Sequence, residues 1–318
     1  MTRSGNRSNT WKRSRSSILR EAQRFSGVIG VDYGYLYKKG ERTRDVGVRF
    51  HVQSKRPLQE ITAGQVLPTS LNGLPCDVLQ ASYSLCASPL ASCDPIQPGV
   101  SVGNLNQFST GTLGLLVTDK LTGRPAILSN WHVLCGSTQA NPGDVLIQPG
   151  AQHMGTRPPR PIARLERWLP LATGFDAAIG LLDPGVNWKQ ELFGTLIVIK
   201  GIVNPKHGMK LAKFGSMSGL TRCVVDGVDG MYTIDYSSCG DVARSMGGIM
   251  LRSDPQFQTP EISLEGDSGA VWTDEQGRAV ALLFAGEDGR GPTAEYALAH
   301  PIERIFDLLQ IEPLSAYG

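Results

Sequence analysis

The chain has 318 residues, a net charge of +2 from 31 Lys and Arg against 29 Asp and Glu, and a hydrophobic fraction of 41%, the composition of a globular protein long enough for about two domains. Its 37 Gly and 20 Pro argue against a helical bundle, whose helices tolerate neither residue well. No apolar run of 18 residues is present, which excludes a membrane-spanning helix, and no apolar stretch of the secretory-signal kind follows the basic N-terminus, so a cytoplasmic location is expected.

Residues 1–24 carry seven basic side chains (Arg3, Arg7, Lys12, Arg13, Arg15, Arg20, Arg24) and one acid, Glu21, a charge of +6 that leaves −4 for the rest. The segment is rich in Ser, Asn and Arg and has little to bury, which predicts a disordered basic tail. Its charge would touch nucleic acid weakly or an anionic membrane, whereas the mildly acidic body lacks the basic patch of a nucleic-acid binder. Next, Val31, Tyr33, Tyr35 and Tyr37 alternate with polar or small residues, a turn follows at Lys39-Gly40-Glu41-Arg42, and Val46, Val48, Phe50 and Val52 alternate again. Two period-2 runs across a polar turn predict a β-hairpin. Residues 57–67 hold a short helix at best, and 77–83 suit a third strand. Residues 25–83 thus read as a small α/β module, and the Pro-containing stretch 84–98 as a linker.

From residue 99 to 318 the pattern is one of short apolar segments between Gly, Asp, Asn and Pro, at 113–117, 125–128, 145–148, 179–182, 195–199, 223–226, 231–235, 248–251, 270–273 and 279–284. Such a rhythm predicts a mainly β domain, barrel or sandwich. At the end, Ile302, Ile305, Phe306 and Leu309 fall at helical spacing after Pro301, which predicts one amphipathic helix. The six cysteines (Cys76, Cys86, Cys93, Cys135, Cys223, Cys239) form no CxxC pair, so neither a zinc ribbon nor a thioredoxin-type site is expected. Free thiols are the default, with Cys86 and Cys93 the pair weighed as a bridge. No motif calls for a metal or a cofactor.

Three strings carry chemistry. Gly266-Asp267-Ser268-Gly269 suits a nucleophilic hydroxyl on a tight turn, with glycines that permit the close approach of backbone N–H groups to a developing oxyanion. A hydroxyl needs a base. Of the five histidines, His132 stands at the end of the apolar run in Leu128-Ser129-Asn130-Trp131-His132-Val133, whereas His51, His153, His207 and His300 read as ordinary surface or core residues. A base needs an orienting carboxylate. Asp176 enters the apolar run Phe175-Asp176-Ala177-Ala178-Ile179-Gly180-Leu181-Leu182, where a charge is costly unless paired. Asp144 and Asp183 compete from turn-like contexts.

The order His132, Asp176, Ser268, with steps of 44 and 92 residues, and the strings S-N-W-H-V, F-D-A-A-I-G-L-L and G-D-S-G-A-V-W resemble the chymotrypsin/trypsin-like serine protease clan. A fourth string, Phe214-Gly215-Ser216-Met217-Ser218-Gly219-Leu220-Thr221, resembles its bacterial members. The likeness spans residues 99–312. It implies two packed six-stranded antiparallel β-barrels with the three residues in the cleft between them, a protein or peptide substrate, and an oxyanion hole from the N–H groups of Gly266 and Ser268. It further implies a specificity pocket with Ile262 at its base and Gly286 and Ala294 as small walls, neutral and apolar although Glu287 and Asp288 lie nearby. Some bacterial members place a cation on the strand before the Gly-x-x-x-Gly turn, which implies that Lys213 pairs with Asp267 beneath the active-site turn. The chain departs from the secreted animal proteases: Cys135 lies three residues after His132, no Arg or Lys precedes Val100-Ser101-Val102-Gly103, and they lack a 25–83 module. That module resembles the front half of a group of intracellular trypsin-like proteins of bacteria and plants that includes the rice narrow-leaf protein. The resemblance implies a serine endopeptidase regulated by conformation or a partner, with homo-oligomerisation left open. The competing expectations are a peptide-binding scaffold without activity and nucleic-acid binding through the tail.

Overall fold

The computed structural model describes residues 3–38, 41–62, 64–81, 88–254, 256, 261–287 and 296–314. The chain divides into two compact units, Met1–Cys86 and Ala87–Gly318.

In the first unit, α1 (Arg3–Ala22) precedes a sheet of β1 (Val28–Lys38), β2 (Glu41–Val52), β3 (Ser70–Leu71) and β4 (Leu74–Gln80), in the order β1-β2-β4-β3. The hairpin β1–β2 pairs antiparallel, and β4 joins β2 in parallel. The segment read as a disordered tail is therefore a helix. Ile18 and Ala22 are buried with Val48, Phe50 and Leu74, and Trp11 stacks on Tyr33 with ring centroids 5.5 Å apart. Polar composition alone predicts disorder, but tertiary burial of one apolar stripe supplies what an isolated helix lacks. Lys12, Arg13, Arg15 and Arg20 occupy its exposed side.

The second unit begins inside the stretch read as a linker: Ile96 and Val100 are fully buried in its core. Its first half comprises β5 (Ser101–Asn104), β6 (Gly111–Thr112), β7 (Leu115–Asp119), β8 (Pro125–Ser129), the one-turn helix α2 (Trp131–Leu134), β9 (Val145–Ile147), β10 (Pro161–Trp168) and β11 (Ala178–Leu182). Its second half comprises β12 (Lys210–Gly215), β13 (Gly219–Asp235), β14 (Ala243–Ser253), β15 (Val271–Asp274), β16 (Ala279–Gly286) and β17 (Tyr296–Pro301), followed by α3 (Ile302–Leu309) and β18 (Ile311–Pro313). The fold is mainly β, and the later six strands close into a barrel in the order β12-β13-β14-β17-β16-β15. The first half is an eight-stranded sheet, β18-β7-β8-β11-β10-β9-β5-β6, rather than six strands, because the C-terminal β18 adds itself antiparallel to β7 at one edge and the two-residue β6 pairs with β5 at the other.

One core cluster runs from Leu116, Ile127 and Leu146 of the sheet to Met246 and Phe284 of the barrel. A second joins Leu115 and Leu128 to Val271, Leu282 and the apolar stripe of α3. The two halves are thus packed through shared apolar cores, and β18 straps the end of the chain back onto the first. Residues 195–199, read as a strand, contribute only a single bridge between Glu191 and Val198. The segments 223–226 and 231–235 belong to one long strand, β13, which with β14 forms a hairpin that bulges near Gly227.

Candidate active site

His132 sits on α2, directly after β8. Asn130 caps the entry in extended conformation, and its amide donates to the Asp176 carbonyl at 2.8 Å. Asp176 lies just before β11, the strand paired with β8, so the ladder brings the two residues together across 44 positions of sequence. His132 Nδ1 is 2.6 Å from Asp176 Oδ2, and the His132 backbone N–H donates to Oδ1 at 3.2 Å. Asp176 is fully buried. A buried carboxylate resists ionisation, yet the charge and hydrogen bond of His132 outweigh burial and hold Asp176 below the usual carboxylate range. Burial likewise disfavours the His132 imidazolium, but Asp176 outweighs it and raises His132 above its ordinary value.

Two groups that local sequence reading passed over complete this corner. The Tyr236 hydroxyl donates to Asp176 Oδ2 at 2.8 Å. The Asp176 backbone N–H donates to His300 Nε2 at 3.0 Å, so that nitrogen carries no proton. Nδ1 then carries it and donates to the Gly247 carbonyl at 2.6 Å. Burial holds His300 neutral, pushing its pKa down to about 4. His300 stacks on Phe284 at 4.0 Å.

Ser268 stands on the turn before β15. Gly266 there has φ +96°, a conformation that glycine adopts without penalty. The Gly266 carbonyl accepts hydroxyls from Thr112 at 2.8 Å and Ser216 at 3.0 Å. The Asp267 N–H donates to the Leu264 carbonyl at 2.9 Å. The Thr112 N–H donates to the Ser268 carbonyl at 2.8 Å, which docks the barrel's turn on the first sheet. Gly111 makes that approach feasible: a side chain there would strike Val133, the neighbour of His132, on one side and the Ser268 carbonyl at 2.9 Å on the other. The hydrogen bonds described include none between Ser268 Oγ and His132; what Gly111 shows is that Val133, next to His132, and the Ser268 carbonyl both border the same glycine.

Beneath the turn lies a buried ion pair. Lys213 Nζ, on β12, donates to Asp267 Oδ2 at 2.9 Å and to Ser218 Oγ at 2.8 Å. Both partners are fully buried. Asp267 also accepts the N–H groups of Leu264 (3.0 Å), Met217 (2.9 Å) and Ser218 (3.0 Å). Burial works against its charge, but Lys213 and Ser218 outweigh it and keep the carboxyl below its ordinary range.

Of the three residues read as a specificity pocket, Ile262 and Gly286 are described. Ile262 is fully buried in the barrel core with Leu211, Cys223 and Trp272, and Thr221 holds its carbonyl at 2.9 Å. Its side chain packs into the apolar interior of the barrel. Gly286 ends β16 and faces the side chain of Ser263. Ala294 and Asp288 lie outside the described residues. Cys76, Cys93, Cys135, Cys223 and Cys239 are free thiols, and Cys86 lies outside the described residues. Among the described residues no cluster could hold a metal ion.

No protein-family model and no curated protein sequence matches this chain. Solved structures similar to it are serine proteases. A chymotrypsin of Cellulomonas bogoriensis is 16% identical, with a TM-score of 0.49 over 70% of this chain and 100% of its own. A glutamic acid-specific serine protease that uses a histidine triad in substrate binding is 18% identical, with a TM-score of 0.49 over 69% and 100%. A Nocardiopsis protease is 14% identical, with a TM-score of 0.48 over 69% and 98%.

Proposed function

We propose that the chain is a serine endopeptidase. The observation that carries this reading is the buried His132–Asp176 pair, joined at 2.6 Å, in the same half as Thr112, on which the Ser268 turn docks. In this mechanism Ser268 Oγ attacks the scissile carbonyl while His132 Nε2 takes its proton. Asp176 holds Nδ1–H and stabilises the imidazolium. The oxyanion of the tetrahedral intermediate binds the N–H groups of Gly266 and Ser268. His132 returns the proton to the departing amine, which leaves an acyl-enzyme. A water molecule, deprotonated by His132, then hydrolyses the ester and frees Ser268.

Cleavage after Leu, Met, Phe or another apolar residue accompanies this reading. A substrate cation would need a buried carboxylate partner, and the family's pocket position holds Ile262. Regulation by conformation or by a partner also belongs to the proposal, with the Lys213–Asp267 pair supporting the turn without a proteolytic cut. A fluorophosphonate probe tests the assignment. It should label Ser268 in the wild-type chain and leave Ser268→Ala and His132→Ala unlabelled. A wild-type chain that stays unlabelled while folded would favour the peptide-binding scaffold instead.

A further inference from the structure

Tyr236 is not part of the proposed catalytic machinery, yet its hydroxyl ends on the same oxygen as His132 Nδ1. We propose that Tyr236 is a positioning residue of the site, delivered by the tip of the β13–β14 hairpin to fix Asp176 and, through it, the His132 imidazole. The inference rests on the protease reading.

Oδ1 of Asp176 accepts the His132 backbone N–H at 3.2 Å, while Oδ2 accepts both His132 Nδ1–H at 2.6 Å and the Tyr236 hydroxyl at 2.8 Å. A carboxylate offers about four lone-pair positions, so the three donors are compatible and together leave it little freedom to rotate. The Tyr236 ring packs edge-on to Trp131, with centroids 6.3 Å apart, and lies 6.4 Å from the His132 ring. The tip that carries it is itself tied down. The N–H groups of Cys239 and Asp241 donate to the Tyr236 carbonyl at 2.9 and 3.2 Å, and the Thr138 N–H of the first half donates to the Cys239 carbonyl at 3.1 Å. Arg244 clasps Asp241 at 2.6 Å across the same tip. A residue of the second half thus clamps a carboxylate of the first.

Packing alone does not require the hydroxyl, because phenylalanine would fill the same space. What the hydroxyl adds is a hydrogen bond to an ion, roughly twice as strong as a neutral one. The titratable groups around Asp176 are His132, Tyr236, His300 and the thiols of Cys135 and Cys239. His300 binds the Asp176 backbone rather than its carboxylate, and burial pushes both thiols up. By drawing charge from Oδ2, the Tyr236 hydroxyl moderates the pull of Asp176 on the imidazolium. Its loss must therefore raise the His132 pKa while loosening the carboxylate.

The test is Tyr236→Phe in the full chain, with the His132 imidazole titrated by NMR and kcat/KM followed against pH. The His132 resonance is assigned by its absence in His132→Ala. The expected results are an upward shift of the His132 pKa, the same shift in the acid limb of the rate profile, a fall in kcat of about 10–100-fold and an unchanged KM. The shift should vanish when Tyr236→Phe is made in an Asp176→Asn background. Because the NMR titration needs no turnover, a His132 shift in a chain that cleaves nothing would support the clamp while contradicting the protease reading. Coincident His132 titrations in the two proteins would overturn the clamp. If Tyr236→Phe does not fold, 3-fluorotyrosine placed at 236, a stronger donor of nearly the same shape, must lower the His132 pKa. An unchanged value would overturn the proposal.

Discussion

Two fully buried carboxylates flank the proposed nucleophile, and they are neutralised in opposite ways. Asp176, in the first half, faces His132, a group that gains and loses its proton near neutrality, and a tyrosine hydroxyl. Asp267, in the second half, faces the amine of Lys213 and three backbone N–H groups. The first arrangement suits a proton that moves during reaction. The second suits a support that stays put. The same residue type becomes part of a proton relay or part of a scaffold according to the partner it faces.

The largest effect should come from the relay side. His132→Ala should lower turnover by about 10⁶, close to the loss from removing Ser268 itself. A loss of only tenfold in a purified, folded variant would place the base elsewhere.

On the scaffold side the order reverses, stability first and chemistry through it. Lys213→Met leaves Asp267 buried without its cation, which costs about 3–5 kcal/mol. The melting temperature and turnover should both fall while the His132 titration stays where it was. Unchanged stability and activity would show that backbone N–H groups alone hold the turn.

His300 separates the two sides by pH. Its folded pKa of about 4 lies below its ordinary value of about 6.5. Between those values the unfolded chain binds a proton that the folded protein refuses, so stability falls as the pH drops from about 6.5 to about 4. His132 works in the opposite sense: its raised pKa adds stability at low pH that is lost as the pH rises through the folded value. His300→Gln should flatten the first slope without touching the second. Equal slopes in unfolding experiments on the two proteins would remove His300 from the account.

The smallest effect belongs to the tether between the halves. Thr112→Val removes one of two hydroxyls on the Gly266 carbonyl, with Ser216 remaining. The expected loss is about 1 kcal/mol, read as a small drop in the denaturation midpoint.

How much of this was legible in the amino-acid order depended on whether the signal was local. The alternation through Val31–Tyr37 and Val46–Val52 matches an observed hairpin because both strands and their turn lie within one short window. His132, Asp176 and Ser268 stood out because each ends or enters an apolar run in a polar-rich turn. Tyr236 did not, since its partner lies 60 residues away and nothing in Asp235-Tyr236-Ser237 distinguishes a clamp from a surface tyrosine. His300 was read as ordinary for the same reason, although its place beside the apolar Ala297-Leu298-Ala299 run marks it as buried. The helix α1 was obscured by composition: Trp11, Ile18 and Ala22 share one stripe at helical spacing, but arginine and serine outnumber them. Ile262, a position inferred from resemblance alone, lies in the barrel core, and the Ala294 wall inferred with it lies outside the described residues.

The central claim is that Ser268 and His132 act as one unit oriented by Asp176. Single-turnover cleavage rates of Ser268→Ala, His132→Ala and the double variant test it most directly. The double variant should be scarcely slower than either single one, because either change already disables the whole unit. Losses that multiply, each variant adding its full factor to the other's, would mean that the two residues work independently and would contradict it.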